Sequence, residues 1–422
     1  MPLDLVGVGI GPANLSLAAL ASGVGGLRAR FLDRSPEFRW HPGLLIDGTT
    51  LQVPFLADLV SLVDPTHPLS FLAYLRDKGR LFPFYFAERF HIPRAEYDDY
   101  CRWAVKRLPS CTFGQNVTEV RWSAAQEAFE VVTEHETLLA RNVVLGVGTE
   151  PVIPGALAGL AHHSADYLDV RDSLLALDDV TVVGSGQSGA EVFLDLLRRR
   201  QGGLRWLTRT PAFAPMEYSK LGLEQFTPDY TRYFRGLPEP TRDALVPAQW
   251  QLYKAISADT IAEIQDELYQ RTVGGGWPDV TLTPGVEVTA ARGDDGTIEL
   301  TLRHDHQGAT AIVKTNAVVC ATGYAERDIT GILGPLVGAK DAAGRYTVDA
   351  EFRVGLAPGV TGSVFAQNAE RHTHGVGAPD LGLTAWRSAT ILNAVSGRAV
   401  HPLPQRTAFT TFGLVRETGR AM

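Results

Sequence analysis

The chain has 422 residues, 45% of them hydrophobic and 20% charged, with a net charge of −8. That length allows two or three domains and a core large enough to enclose sizeable ligands. The mild acidic excess leaves no basic footprint for nucleic acid. The three cysteines, Cys101, Cys111 and Cys320, form no CxxC pair, which disfavours a zinc site or a redox disulfide and fits a reducing cytoplasm.

Residues 5–27 carry no charge, a length that alone would allow a membrane span or a signal peptide. However, Gly7, Gly9, Gly11 and Pro12 would break a spanning helix, and Asp4 stands where a signal peptide places Lys or Arg. No targeting or transmembrane segment is therefore expected. Residues 3–8 instead read as a buried parallel strand, 14–21 as a small apolar helix and 28–33 as a second strand, together a βαβ unit. Residues 40–105, rich in Pro and aromatics, read as a loop-and-helix surface around a ligand. A strand at 180–183, a glycine turn at 184–189, a helix at 190–200 and a strand at 204–208 repeat the unit. Residues 235–275 read as helical, most strongly over 261–270. Residues 280–302 alternate like strands around the turn signal Gly293-Asp294-Asp295-Gly296. Two glycine-punctuated strand ends, 143–148 and 317–323, read as crossovers between domains.

The expected fold is α/β, with two doubly wound Rossmann-like dinucleotide-binding domains and a small helical substrate region. The first domain is discontinuous, residues 1–165 with 331–422. The second comprises 166–234 with 276–330, and the helical region 235–275.

In the first turn, Gly7-Val8-Gly9-Ile10-Gly11-Pro12, the first glycine permits a tight bend and the second lets the backbone approach a pyrophosphate at a helix N-terminus. Pro12 stands where a third glycine usually gives close packing, and suits a first helical turn. Asp33 ends the second strand, where an acid accepts from an adenosine ribose. The second turn, Gly184-x-Gly186-x-x-Gly189, has the full pattern, but its second strand ends in Thr208-Arg209-Thr210. A cation there suits the 2′-phosphate of NADPH. The different ribose readers imply FAD at the first turn and NADPH at the second. With no Gly-x-Ser-x-Gly elbow and no metal-spaced His/Cys cluster, the chemistry falls to a flavin, and no metal site or protein nucleophile is expected.

The chain resembles the microbial N-hydroxylating flavoprotein monooxygenases of siderophore biosynthesis, the lysine, ornithine and diamine N-monooxygenases. The resemblance rests on Gly7-Val-Gly-Ile-Gly-Pro-Ala-Asn-Leu15, Phe38-Arg-Trp-His-Pro-Gly43, Leu51-Gln-Val-Pro-Phe-Leu-Ala-Asp-Leu-Val60, Asp64-Pro-Thr66, Ala321-Thr-Gly-Tyr324 and Thr373-His-Gly375. It implies that Trp40, His41 and Gln52 lie around the isoalloxazine and nicotinamide. It extends the cofactor contacts to Ala13, Gln187, Ser188, Thr322, Gly323, Asp380 and Leu381. The implied reaction reduces FAD with NADPH, adds O2 to form a C4a-hydroperoxyflavin under retained NADP+, and transfers the distal oxygen to a neutral amine. A homo-oligomer is implied as well. The family often carries an acid where this chain has Asn316.

By the same resemblance, Ala57 takes the place of a lysine that pairs with the substrate carboxylate in ornithine enzymes. Leu223, upstream of Phe226-Thr-Pro228, takes the approximate place of an asparagine. Residues 375–383 follow the lysine and diamine branch. The expected substrate is thus a small aliphatic amine, either cadaverine or putrescine, or L-lysine, whose carboxylate Lys254 could meet. A flavin-dependent NAD(P)H oxidase or reductase without hydroxylation and a catalytically silent nucleotide-binding protein remain as alternatives.

Overall fold

Both glycine turns end the central strand of a parallel five-stranded sheet. The computed structural model describes residues 1–414. In the first sheet the strands lie in the order Ser363–Ala366, Asn142–Leu145, Leu5–Val8, Ala29–Asp33, Cys111–Phe113. In the second they lie His162–His163, Ala317–Cys320, Asp179–Val183, Gly203–Leu207, Val280–Thr283. The two sheets share one plan. The strand before the glycines is central, its βαβ partner lies on one side, and a later strand joins on the other. That reversal opens a crevice at the strand ends, where α/β sheets bind their ligands.

Leu5–Val8 is buried throughout, as a strand covered on both faces must be. The helix Pro12–Ser22 that follows buries Asn14 through Ala21 without a break. It can do so because the last long helix, Thr384–Ser396, packs across it. The counterpart Gln187–Arg199 begins a turn earlier than the sequence reading placed it. It buries residues 189–197 and ends in Arg198 and Arg199, cations suited to a helix C-terminus.

Two antiparallel three-stranded meanders flank the sheets: Val117–Ser123, Ala128–Thr133 and Thr137–Ala140 in one, Val286–Asp294, Thr297–His304 and Ala309–Thr315 in the other. The turn of the second falls at Asp295 and Gly296, both in the left-handed region (φ 41° and 74°), as the Asp-Gly signal required. Two short strands lie just beyond the glycine-punctuated strand ends 143–148 and 317–323. Thr149–Pro151 and Tyr324–Glu326 pair as an antiparallel ribbon between the sheets.

The helical region is divided between two places. Ala258–Gln270 packs on Gln187–Arg199, with Ile264 in the second core. Pro228–Arg235 and Glu239–Ala248 pack instead with Val376 and Phe412 from the C-terminal part of the chain. Leu44 and Ile46, from the early loop segment, bury in the second core beside Tyr167 and Val180. No helix among the described residues is long and apolar enough to cross a membrane.

Candidate active site

At the first turn Gly9 has φ +88°, and a Cβ there would stand 2.3 Å from the Gly146 carbonyl oxygen. Gly11, the N-cap of Pro12–Ser22, has open space around it and no side chain capping the helix. The free N–H groups of the first helical turn, Ala13 among them, therefore border an opening that an anion can approach. Asp33 Oδ2 accepts from Ile10 N–H at 2.7 Å and its Oδ1 from Ser35 N–H at 2.8 Å. The strand-end acid thus braces the turn itself.

At the second turn Gly184 has φ +127°, with the Ala321 carbonyl oxygen 2.2 Å from its would-be Cβ. A Cβ on Gly189 would meet the Gly184 oxygen at 2.5 Å, the close helix–strand packing that the third glycine was expected to serve. Gly186 caps its helix without a side chain, and Ser188 is half-buried on the first turn. Arg209 is exposed at the strand end and has no hydrogen-bond or ion-pair partner among the described residues. The Gln187 side chain is already engaged. Its Oε1 accepts from Ser257 N–H at 2.8 Å, and its Nε2 donates to Glu191 Oε1 and Thr260 Oγ1 at 2.9 and 3.0 Å. As placed, it ties the turn to helix Ala258–Gln270 and leaves no amide group free for a nucleotide.

Trp40 and His41 pack beside Tyr97 and Tyr324. The Trp40 N–H donates to Asp98 Oδ1 at 2.8 Å, and its ring meets His41 and Tyr97 edge-on at 5.0 and 4.9 Å. His41, in the left-handed region at φ 47°, meets Tyr324 at 5.7 Å. Gly43 lets this bend approach the second unit, where its would-be Cβ would overlap the Ala165 carbonyl. His41 keeps solvent access while protein atoms crowd around its ring. Loss of hydration, with Arg94 nearby, pushes its pKa down to about 4, so it is neutral. Tyr324 is pushed up to about 12 by burial. Gln52 Oε1 accepts from the Tyr218 hydroxyl at 2.6 Å, which draws the 218–223 segment against the loop segment.

Thr322 donates to the Val152 carbonyl, and the Gly323 carbonyl accepts from Val152 N–H at 3.1 Å, so both residues stitch the ribbon between the sheets. Asp380 Oδ1 caps the turn Leu381–Leu383 through Gly382 N–H at 2.7 Å. Its carboxyl is pushed up to about 6 by desolvation, partly offset by that bond. Leu381 packs on the first core. Of the three expected substrate residues, Ala57 is 5% exposed and Leu223 is 37% exposed on the turn Gly222–Phe226, while Lys254 lies beside Gly186. No hydrogen bond or ion pair among the described residues joins them.

Two buried polar groupings escaped the sequence reading. Asn14 Nδ2 donates to the Val8 and Gly9 carbonyls at 3.1 and 2.8 Å, and its Oδ1 accepts from Gln367. Arg94 Nη1 reaches Glu191 Oε2 at 2.8 Å, joining the loop segment to the second unit's first helix. The signal for Asn14 was present, as an amide side chain within a helix otherwise built of small and apolar residues.

Two glycine cradles, each at the end of a central parallel strand and at the start of an uncapped helix, define a two-nucleotide α/β enzyme. Residues 1–326 match the family described as L-lysine 6-monooxygenase/L-ornithine 5-monooxygenase, and the chain belongs to that family. It is 45% identical to the rhizobactin siderophore biosynthesis protein RhbE of Rhizobium meliloti, over 97% of this chain and 95% of the relative. A putrescine N-hydroxylase of Shewanella oneidensis is 40% identical over 97% and 84%. Among solved structures, FAD-bound DfoA, the desferrioxamine-pathway cadaverine monooxygenase of Erwinia amylovora, superposes with a TM-score of 0.94 at 37% identity, covering 99% of this chain and all of that one.

Proposed function

We propose that this enzyme hydroxylates the terminal primary amine of a small aliphatic diamine, cadaverine or putrescine, or of L-lysine. FAD occupies the first cradle, NADPH the second, and O2 is the co-substrate. The product serves hydroxamate siderophore assembly in the cytoplasm. On this reading residues 1–165 with 331–422 hold FAD and residues 166–234 with 276–330 hold NADPH. The carrying observation is the pair of glycine turns, each ending the central strand of a parallel sheet and opening a helix that no side chain caps. The residues present fit both groups. Gly11 leaves room for a pyrophosphate at a free helix start, and Arg209 offers an unpaired cation where the second ribose would lie.

Bound flavin supplies hydride acceptance and oxygen activation. The protein supplies placement and a dry site. His41, held neutral, adds no charge beside the edge-on rings of Trp40 and Tyr324. An alkylammonium has an ordinary pKa of about 10.4, so such a site must draw the amine toward its neutral, nucleophilic form by desolvation. Ala57 brings no cation to meet a carboxylate, which favours a diamine over an amino acid, as do relatives named for putrescine and cadaverine. An apolar surface at Phe82, Tyr85 and Phe86 is consistent with a homo-oligomer.

The test is a substrate panel of cadaverine, putrescine, L-lysine and L-ornithine, scored by hydroxylamine formed and not by NADPH consumed. A diamine should give the highest kcat/KM and ornithine none. NADPH consumption with peroxide release and no hydroxylamine from any of the four would overturn the reading.

A further inference from the structure

Lys254 stands between the turn Trp250–Leu252 and Ser257, the N-cap of Ala258–Gln270. Its carbonyl oxygen is 3.4 Å from the position of a Cβ on Gly186, so this segment runs along the second glycine turn. Further bonds fix it there. Ser257 N–H donates to Gln187 Oε1, Ile256 N–H donates to the Ala214 carbonyl at 3.1 Å, and Met216 N–H donates to the Ile256 carbonyl at 2.7 Å. Residues 214–216 belong to the segment that follows Arg209, so the backbone ties the stretch carrying Lys254 both to that segment and to the second glycine turn.

A third cation comes from the C-terminal part of the chain. Lys254 Nζ is 5.3 Å, and Arg371 Cζ 5.5 Å, from the centroid of the same Tyr253 ring. Arg371 reaches Glu326 at 3.4 Å, whereas neither Lys254 nor Arg209 has a carboxylate partner among the described residues. Desolvation first, then Arg371 and Arg209, hold the Lys254 ammonium below the usual lysine range. Lys254 and Arg209, the two without a carboxylate partner among the described residues, repel one another until an anion arrives. A dianionic phosphate meets that need, accepting from an Arg fork and from a Lys point charge together.

We infer that Lys254, jointly with Arg209, binds the 2′-phosphate of the second-cradle dinucleotide, and that it is not the residue that meets a substrate carboxylate. This rests on reading that cradle as the NADPH site. Loss of the amino-acid anchor from Lys254 in turn leaves the amine pocket without a cation at either expected position, which strengthens the diamine reading.

The test titrates 2′,5′-ADP and 5′-ADP by calorimetry into the FAD-loaded parent, Lys254→Met, Lys254→Arg and Arg209→Ala. The parent should prefer 2′,5′-ADP. Lys254→Met should weaken 2′,5′-ADP by about tenfold or more, the scale of one charge-assisted contact, with 5′-ADP little changed. Lys254→Arg should restore most of the loss, and FAD content and the KM for the amine should stay at parent values. Undiminished 2′,5′-ADP affinity in Lys254→Met would overturn the inference, as would a raised amine KM with nucleotide affinity intact. A parent that did not distinguish the two probes would overturn the NADPH reading, and the inference with it.

Discussion

Gln367 donates from Nε2 to Asn14 Oδ1 at 2.8 Å, across 353 residues of chain, immediately behind the first glycine turn. Both side chains are buried, and Asn14 passes the link on to the Val8 and Gly9 carbonyls. Asn14→Leu would leave the Gln367 amide without this partner, and an orphaned buried polar group costs about 1–3 kcal/mol. We expect a lower Tm and weaker flavin retention, read from the visible absorbance per protein after gel filtration. Parent values on both would show that the link does not hold the turn.

Gly9→Ala meets two obstacles, a backbone in the left-handed region and the Gly146 carbonyl at 2.3 Å. A neighbour that is itself backbone has little room to yield. The variant should be isolated without flavin and should not recover it on incubation with excess FAD. Gly25→Ala, in open space with no positive φ, should bind flavin like the parent.

Glu191→Ala tests the pair between the early loop segment and the second unit. The Arg94 and Glu191 side chains are only 12% and 4% exposed, and the guanidinium would lose its counter-charge. Breaking a buried pair on one side typically costs about 3–5 kcal/mol. Thermal unfolding should begin earlier in this variant. A Tm unchanged from the parent would mean that water replaces the carboxylate without loss.

Burial lowers the pKa of His374, which stacks on Phe352 at 4.3 Å with its Nε2 unpartnered. A lowered histidine stays neutral in the fold and takes up a proton on unfolding, so the unfolded chain binds more protons below about pH 6.5. Its contribution is therefore complete above that pH and declines as pH falls. His374→Phe keeps a flat ring on Phe352 and removes the titration, while Thr373 Oγ1 retains its bond to the Glu370 carbonyl. Urea unfolding at stepped pH should show a shallower loss of stability below pH 6.5 in the variant. Parallel curves would exclude His374 as a contributor.

The two cradles were legible because their chemistry is local. A strand, spaced glycines and a helix start lie within a few residues of one another, and at Gly189 a Cβ would collide with the Gly184 carbonyl. The meander of residues 117–140 was not legible, since a register shift between Val117 and Glu119 breaks the alternation that would announce it. The division of the helical region was hidden for a different reason. Periodicity tells which face of Ala258–Gln270 is buried, but not that Gln187–Arg199 is what buries it. Gln187 shows the same limit at the site, because a motif position does not reveal that Ser257 and Thr260 already engage its amide.

The strand Ser363–Ala366 and the helix Thr384–Ser396 complete the layer that begins with Leu5–Val8 and Pro12–Ser22. During synthesis Leu5–Val8 and Pro12–Ser22 must therefore wait for Ser363–Ala366 and Thr384–Ser396 before their apolar faces are covered. The second sheet, whose strands end at Cys320, has all its parts sooner. Nascent chains stalled just short of the final helix should accordingly display the first unit's bare surface to chaperones while the second has already consolidated.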